Sequence, residues 1–276
     1  MNNWKRPPCD LEIARYIDCY WYLEKTPGDN SYSHPKLNPS PEAHLLLAPT
    51  EQPYHYTLNG VEKKGYGGHL LLPNTGTIDV HHLDPFLIIG IKFKAGALYS
   101  LAQTADFPML DDIINLSDFL AATTLTLPPE PSTATRSDAI NELRIKLDNW
   151  LHPLLKNVYQ DRYCQLTEKA AAIFEHTELA DLAQNLHCSR RTLERAFRRV
   201  TGLSLKQYEA MRTLDKLLYY LYQYQDRSPD WADVAAKFGF SDQPHLIRYL
   251  KTAISSTPGN YLKQRDLTID VYGDFE

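Results

Sequence analysis

Apolar residues in the first part of this 276-residue chain come in short runs separated by glycine, proline and asparagine. The runs at 43–48, 54–58, 69–72 and 87–93 are rich in Leu, Ile and Tyr and read as β-strands. Turn signals fall between them: Pro27-Gly28-Asp29-Asn30, Asn59-Gly60, Gly67-Gly68 and Asn74-Thr75-Gly76. Asn59-Gly60, flanked by Tyr-rich segments, predicts a two-residue hairpin because both residues tolerate positive φ. Strands this short, at this spacing, predict a sandwich or barrel over residues 1–120.

The rhythm then changes. Residues 121–137 hold three prolines and many small polar side chains, which reads as an exposed loop or linker. After Ser137 and Asp138, apolar residues recur every three or four positions at Ile140, Leu143, Leu147, Trp150 and Leu154, one face of a helix. That stripe packs on its own domain or pairs with a second copy, and one stripe is compatible with both. From Tyr163 onward the pattern is helical, with segments near 163–175, 179–186, 190–200, 205–224, 229–238, 242–251 and 258–264. Ser204 with Gln207 fits a capping box, and Ser228-Pro229 and Thr257-Pro258 each set a cap residue before proline. The expected class is α+β. A β-rich barrel or sandwich spans 1–120, a loop and connecting helix 121–160, an all-α domain 161–265 and an acidic tail 266–276.

Two helical pairs in the last domain share one design. Leu179–Val200 and Trp231–Lys251 each read as a short helix, a turn and a second helix with a basic outer face. A helix-turn-helix needs a small residue where its helices cross, and Ala183 and Ala235 supply it. Four residues on, Gly239 suits a positive-φ turn in the second unit, and His187 holds the same place in the first. Leu193, Phe197 and Val200 form the buried stripe of unit one, opposite Arg191, Glu194, Arg195 and Arg198. Unit two repeats this, with Leu246, Leu250 and Ala253 inward and Gln243, Ile247, Arg248 and Lys251 outward. Arginine and glutamine in such positions can pair with guanine and adenine edges in the major groove, and arginine and lysine also bind phosphate.

Charge agrees with this division. Residues 1–161 carry 13 basic and 19 acidic side chains, whereas residues 162–265 carry 16 and 11. The basic block sits where nucleic acid would bind. Cys9, Cys19, Cys164 and Cys188 form no CxxC pair and no disulfide framework, which predicts reduced thiols in a cytoplasmic protein. The amino terminus lacks the apolar core of a signal peptide, and the longest apolar run, near 86–91, is too short to span a bilayer.

Residues 163–265 resemble the DNA-binding domain of AraC/XylS-type transcriptional regulators. The likeness rests on Val234-Ala235-Ala236-Lys237-Phe238-Gly239-Phe240-Ser241-Asp242-Gln243, followed by Arg248, Lys251, Thr257-Pro258 and Tyr261. In unit one it rests on Leu182-Ala183, Ser189, Leu193, Arg195, Phe197, Gly202 and Tyr208. Ala183 and Arg195 lie 12 residues apart and Ala235 and Arg248 13 apart, the same extra residue the family has in its second unit. Met211–Leu218 looks like the helix that joins the units. Three departures stand out: Ser255 for glycine, Leu246 and Leu250 for aromatics, and Pro244 for a small polar residue.

The resemblance implies DNA contacts from Arg190, Arg191, Glu194, Arg195 and Arg198 in unit one and from Gln243, Ile247, Arg248 and Lys251 in unit two. Arg191, Glu194, Arg195, Gln243, Ile247 and Arg248 are the base-reading candidates. Glu194 either accepts from a cytosine amino group or pairs with a neighbouring arginine. Arg195 and Arg248 either read bases or brace the fold. The implied function is a sequence-specific DNA-binding transcription regulator and not an enzyme. Its expected partners are double-stranded DNA, a small-molecule effector, a second copy of the chain and, for an activator, RNA polymerase, with no membrane.

Leu87–Ala97, Leu110-Asp111-Asp112 and Leu116–Leu120, together with Trp21-Tyr22-Leu23, resemble a β-rich, cupin-like sensor domain of such regulators. His44, His55, His69, His81 and His82 do not read as a metal site, since adjacent His81 and His82 would point to opposite faces of a strand. Neither a metal nor a cofactor is expected. The alternative is a cupin-type small-molecule-binding protein or enzyme with an accessory DNA-binding module.

Overall fold

The computed structural model describes residues 2–26, 36–81, 85–102, 109–174, 176–222, 229–254 and 257–259. The N-terminal half is a two-sheet antiparallel sandwich. One sheet has the order β1 (Asn2–Arg6), β2 (Ile17–Lys25), β9 (Phe86–Phe93), β4 (His44–Leu47), β7 (His69–Leu71), β10 (Ile113–Asn115). The other has the order β3 (Lys36–Leu37), β8 (Ile78–Val80), β5 (Pro53–Leu58), β6 (Val61–Tyr66). Leu58 pairs with Val61 across Asn59 (φ 51°) and Gly60 (φ 78°), the hairpin that the Asn-Gly dipeptide predicts.

The two sheets differ in how many faces they bury. Strand β5 alternates buried and solvated residues, as a half-exposed strand must. Along β2, Cys19, Trp21 and Leu23 point into the sandwich with Tyr54, Tyr56 and Ile88, while Tyr20 and Tyr22 point the other way into a second core. Both sets are buried, which explains why β2 reads as a nearly unbroken apolar run. Trp21 fills the sandwich centre opposite Gly90, and its indole occupies the space where a Cβ on Gly90 would stand. The indole NH donates to His44 Nδ1 at 3.2 Å.

Helices cover the outer face of the six-stranded sheet: a single 3-10 turn at Ile13–Arg15, then α1 (Ala97–Ala102), α2 (Leu116–Ala121) and α3 (Ser137–Leu155). Leu143, Leu147, Trp150 and Leu154 of α3 lie in one core with Tyr20, Tyr22, Ile89 and Ile91, so the helical stripe packs on its own domain. Asp148, on the same helix, accepts from Tyr20 Oη at 2.6 Å, Cys9 N at 2.8 Å and Asp10 N at 3.0 Å. The Pro-rich stretch before α3 is the irregular, largely exposed loop expected from its composition, but it is anchored to the domain at two points. Leu125 and Ala134 are buried in that core. Trp4 Nε1 donates to the Ala134 carbonyl at 2.6 Å and Trp150 Nε1 to that of Thr126 at 3.0 Å. Two largely buried indole NH groups need acceptors, and an irregular segment has main-chain carbonyls free to provide them.

The C-terminal half is helical: α4 (Arg162–Ile173), α5 (Leu182–Asn185), α6 (Arg190–Thr201), α7 (Leu205–Tyr222), α8 (Trp231–Lys237) and α9 (Gln243–Ile254). The capping box at α7 forms in both directions, Ser204 N to Gln207 Oε1 at 3.0 Å and Gln207 N to Ser204 Oγ at 3.2 Å. Helix α8 starts later than the Ser228-Pro229 signal suggests, because Asp230 caps it by accepting from Ala232 N at 2.8 Å. Most of the helix expected at 258–264, Ser255 and the tail at 266–276 lie outside the described residues. Among the described residues no helix is long and apolar enough to cross a membrane.

Two expectations follow from the buried polar groups. Asp148→Ala strands a tyrosine hydroxyl and two main-chain NH groups and should lower stability by roughly 3 kcal/mol in urea unfolding, with Asp148→Asn costing less. His44 is fully packed, and burial, reinforced by the nearby Lys92 and Lys5 charges, holds its imidazole well below the usual histidine range. The unfolded chain therefore binds a proton below about pH 6.5 that the folded chain does not, and stability falls as pH drops through that range. Urea midpoints from pH 7.5 to 5 should show this slope, and His44→Gln should flatten it by up to about 1.4 kcal/mol per pH unit.

Candidate nucleic-acid interface

The two helix-turn-helix units share the long helix α7. Its first part, Leu205, Tyr208 and Met211, is buried in unit one with Leu182, Leu193 and Phe197. Its second part, Leu214, Leu217, Leu218 and Leu221, is buried in unit two with Val234, Leu246 and Leu250. Helix α7 thus gives each unit one wall of its core, and Tyr249 Oη of α9 donates to the Ala210 carbonyl in its first half.

In unit one the turn residue His187 has φ 52°, and in unit two Gly239 has φ 77°, as the matched positions predict. Helix α6 begins at Ser189, whose Oγ accepts from Thr192 N at 3.1 Å, and buries Leu193, Ala196, Phe197 and Val200. Arg190, Arg191, Arg195 and Arg198 are left exposed on the other side. Glu194 is half-buried: one carboxylate oxygen lies 3.3 Å from Arg198 Nε and the other accepts from Leu205 N at 3.4 Å.

Arg195 does not stand alone. Its guanidinium lies 5.3 Å from the centre of the Tyr163 ring, Arg199 lies 5.0 Å and Arg162 4.8 Å from the same ring. Arg162 also donates to Tyr163 Oη at 2.8 Å, and this bond holds the phenol below its ordinary range. Arg162, Tyr163 and Arg199 extend the basic face beyond the residues singled out from the sequence. Arg191, Arg195 and Arg199 recur every four residues along α6, so helical periodicity could have placed Arg199 on this stripe. Nothing in the local sequence places Arg162 beside it, because α4 and α6 meet only through tertiary packing.

In unit two, Leu246, Leu250 and Ile254 are the buried stripe of α9, and Ala253 is half-buried beside them. Gln243, Arg248 and Lys251 are exposed and Ile247 is half-buried. The Asp242 carboxylate accepts from His245 N at 2.7 Å and closes the helix start. Pro244 sits in the first turn, where its missing NH would have had no intrahelical acceptor. The carboxylate sets a negative charge at the positive end of the helix dipole. Unit one, opened by a neutral serine followed by two arginines, presents no such negative group.

The sandwich touches unit one directly. Gly96, at φ 79° in the turn between β9 and α1, lies so close to Val200 of α6 that a Cβ would stand 2.7 Å from Val200 Cγ1. Arg199 Nε donates to Tyr99 Oη at 3.0 Å, and another Arg199 nitrogen lies 3.4 Å from Asp161. Arg15 pairs with Glu168 at 2.9 Å and Arg212 with Glu42 at 3.5 Å. Unit two is touched through Thr77 Oγ1, which donates to the Ala253 carbonyl at 3.2 Å. Among the described residues no group of three or more His, Cys, Asp or Glu is placed to hold a metal ion. His44 and His69 serve the sandwich core, the latter 2.8 Å from Tyr56 Oη.

Comparison with known proteins gives one match of family and several of shape. Residues 182–264 match the family model described as a helix-turn-helix domain. No curated protein matches the chain in sequence. Among solved structures, ToxT from Vibrio cholerae in its P21 form is 9% identical over 96% of this chain and 99% of that one, with a TM-score of 0.46. ToxT from Vibrio cholerae O395 bound to (E)-4-(8-methylnaphthalen-1-yl)but-3-enoic acid is 10% identical over the same shares, with a TM-score of 0.48. The EutQ protein of Clostridium difficile is 11% identical over 38% of this chain and 69% of its own, with a TM-score of 0.24. Residues 182–264, with two capped helices on one shared strut, are a helix-turn-helix domain of the AraC/XylS type.

Proposed function

We propose that this chain is a sequence-specific DNA-binding transcription regulator whose N-terminal sandwich answers to an effector. The observation that carries the reading is the pairing of two helix-turn-helix units on α7, each with a buried apolar stripe and an exposed polar face. Arg191 and Arg195 in unit one, and Gln243 and Arg248 in unit two, reach base edges. Arg190, Arg198 and Lys251 meet phosphate, and Arg162 and Arg199 extend that contact. Glu194 orders Arg198 and the start of α7 rather than a cytosine, in keeping with its two partners. The sandwich regulates by bearing on α6 through Gly96 and Tyr99. An effector changes DNA affinity only to the extent that it binds one arrangement of this seam better than another. The net charge of the helical domain is modest, so tight binding uses both units together or a pair of chains. Since the α3 stripe is buried, a homodimer uses another surface. An activator would in addition contact RNA polymerase.

Selection of bound DNA from a random pool supplies the site on which variants are measured. Arg195→Ala and Arg248→Ala should each cost roughly 1–3 kcal/mol of binding and relax specificity at one base position. Arg190→Ala should weaken all sequences alike and reduce the slope of log K against log salt by about 0.9. Unchanged affinity and slope in all three would defeat the assignment. Footprinting should show protection in two successive major grooves about 10 base pairs apart, and protection of a single groove would contradict joint use of the units.

A further inference from the structure

One exposed arginine of α6 differs from the others in what it rests on. The ring of Tyr163, at the start of α4, meets three guanidinium groups: Arg162 at 4.8 Å from the ring centre, Arg199 at 5.0 Å and Arg195 at 5.3 Å. The ring is held from several sides. Asp161 caps α4 by accepting from Tyr163 N at 2.8 Å and Cys164 N at 2.9 Å, which fixes the first turn. Tyr163 is buried in one cluster with Cys164 and with Ala196 and Val200 of α6. Arg162 donates to its hydroxyl at 2.8 Å. The ring is thus a fixed surface beside the exposed face of α6.

The three arginines are not equivalent. Arg162 is tied to the phenol oxygen. Arg199 Nε donates to Tyr99 Oη at 3.0 Å, and a second nitrogen lies 3.4 Å from Asp161. Arg195 has neither kind of tie. Among the described residues its guanidinium makes no hydrogen bond and no ion pair, so its donors are unspent while its charge rests against the ring. The Asp161 carboxylate is engaged by Arg199, Tyr159 and two main-chain NH groups and makes no bond to Arg195. A free arginine side chain samples many rotamers, and freezing them opposes pairing with a base edge. A ring that holds the guanidinium beforehand removes part of that cost and narrows the directions in which the paired donors point. Arg162 and Arg199, like charges on the same ring, keep Arg195 from swinging toward them. Arg248, the matched position in unit two, has no ring against it among the described residues.

We propose that Tyr163 is a positioning residue for DNA reading: its ring holds the Arg195 guanidinium ready to pair with a base, so that the base preference of unit one depends on a residue of α4 that touches no base. The proposal rests on the regulator reading above. It makes the specificity of unit one a joint property of α4 and α6, and it leaves Arg248 in unit two as an internal control.

The test binds the full chain to a pool-selected site and to its single-base variants, by fluorescence anisotropy at one fixed salt concentration. Arg195→Ala identifies the base position that Arg195 reads, and Arg248→Ala identifies the unit-two position. Tyr163→Phe keeps the ring and should hold the preference at the Arg195 position within about twofold. Tyr163→Leu should lower that preference by at least about threefold and leave the Arg248 position unchanged. In an Arg195→Ala background, Tyr163→Leu should lower it no further. Because Tyr163 belongs to a core cluster, a graded series separates loss of the site from loss of the fold. Mono-, di- and trifluorinated phenylalanine at position 163 keep the shape of the ring while drawing charge from its face. The preference should fall stepwise with added fluorine while the melting temperature stays that of Tyr163→Phe. A preference unchanged along the series, a preference lost equally at both base positions, or a further loss in the Arg195→Ala background would each overturn the proposal and leave the regulator reading intact. An Arg195→Ala chain that relaxes no base position overturns it as well, by removing Arg195 as a reader. Failure to select any DNA overturns the regulator reading, and this proposal with it.

Discussion

Both faces of the six-stranded sheet are buried, and that constrains everything around it. One face must meet the second sheet, so Trp21 fills the sandwich and the neighbouring strand carries glycine at position 90 to admit it. The other face must meet helices, and α3 with the segment before it closes over Tyr20 and Tyr22. A polar atom entering that layer has to be fully satisfied, and Asp148 is, with three donors converging on its carboxylate. The sandwich interior is therefore packed with aromatic rings at its centre. Open space lies at its end, against the helical domain.

The helical domain is organised around α7 in a comparable way. A long helix gives one end to each unit, and neither core is complete without it. The sandwich presses on the unit-one end of this assembly. Gly96 is the condition for that contact: a side chain there would collide with Val200, and a non-glycine residue would be strained at that φ. Exposed ion pairs such as Arg15–Glu168 add orientation more than energy. The seam is held by shape and by a few bonds.

The units differ in their chemistry at the helix start. Unit one opens on Ser189 followed by Arg190 and Arg191, with further arginines arrayed over Tyr163. Unit two opens on a carboxylate and a proline. The first arrangement leaves a positive helix start open to an anion, and the second fills it with its own carboxylate.

Much of this was legible in the residue order because the signals are local. Asn59-Gly60 made its hairpin, Ser204 and Gln207 made their capping box, and the 3.6-residue period marked the buried stripes of α3, α6 and α9. The matched turn positions 187 and 239 also took the predicted conformation, since positive φ depends on the residue and its immediate neighbours. Composition marked the Pro-rich stretch at 121–137 as a loop but gave no sign that Leu125 and Ala134 pin it to the core or that two distant tryptophans take its carbonyls. It likewise gave no hint of the Tyr163 arginine cluster or of the seam cavity, whose walls come from strands, turns and helices far apart in the chain. The sequence by itself determined the main strands, the helices of the C-terminal half and the two helix-turn-helix units, through periodicity, caps and turn residues. Only the tertiary structure decided what the sandwich leans on, where its open space lies and which charges are left unpaired, because those depend on distances between groups that no local pattern brings together.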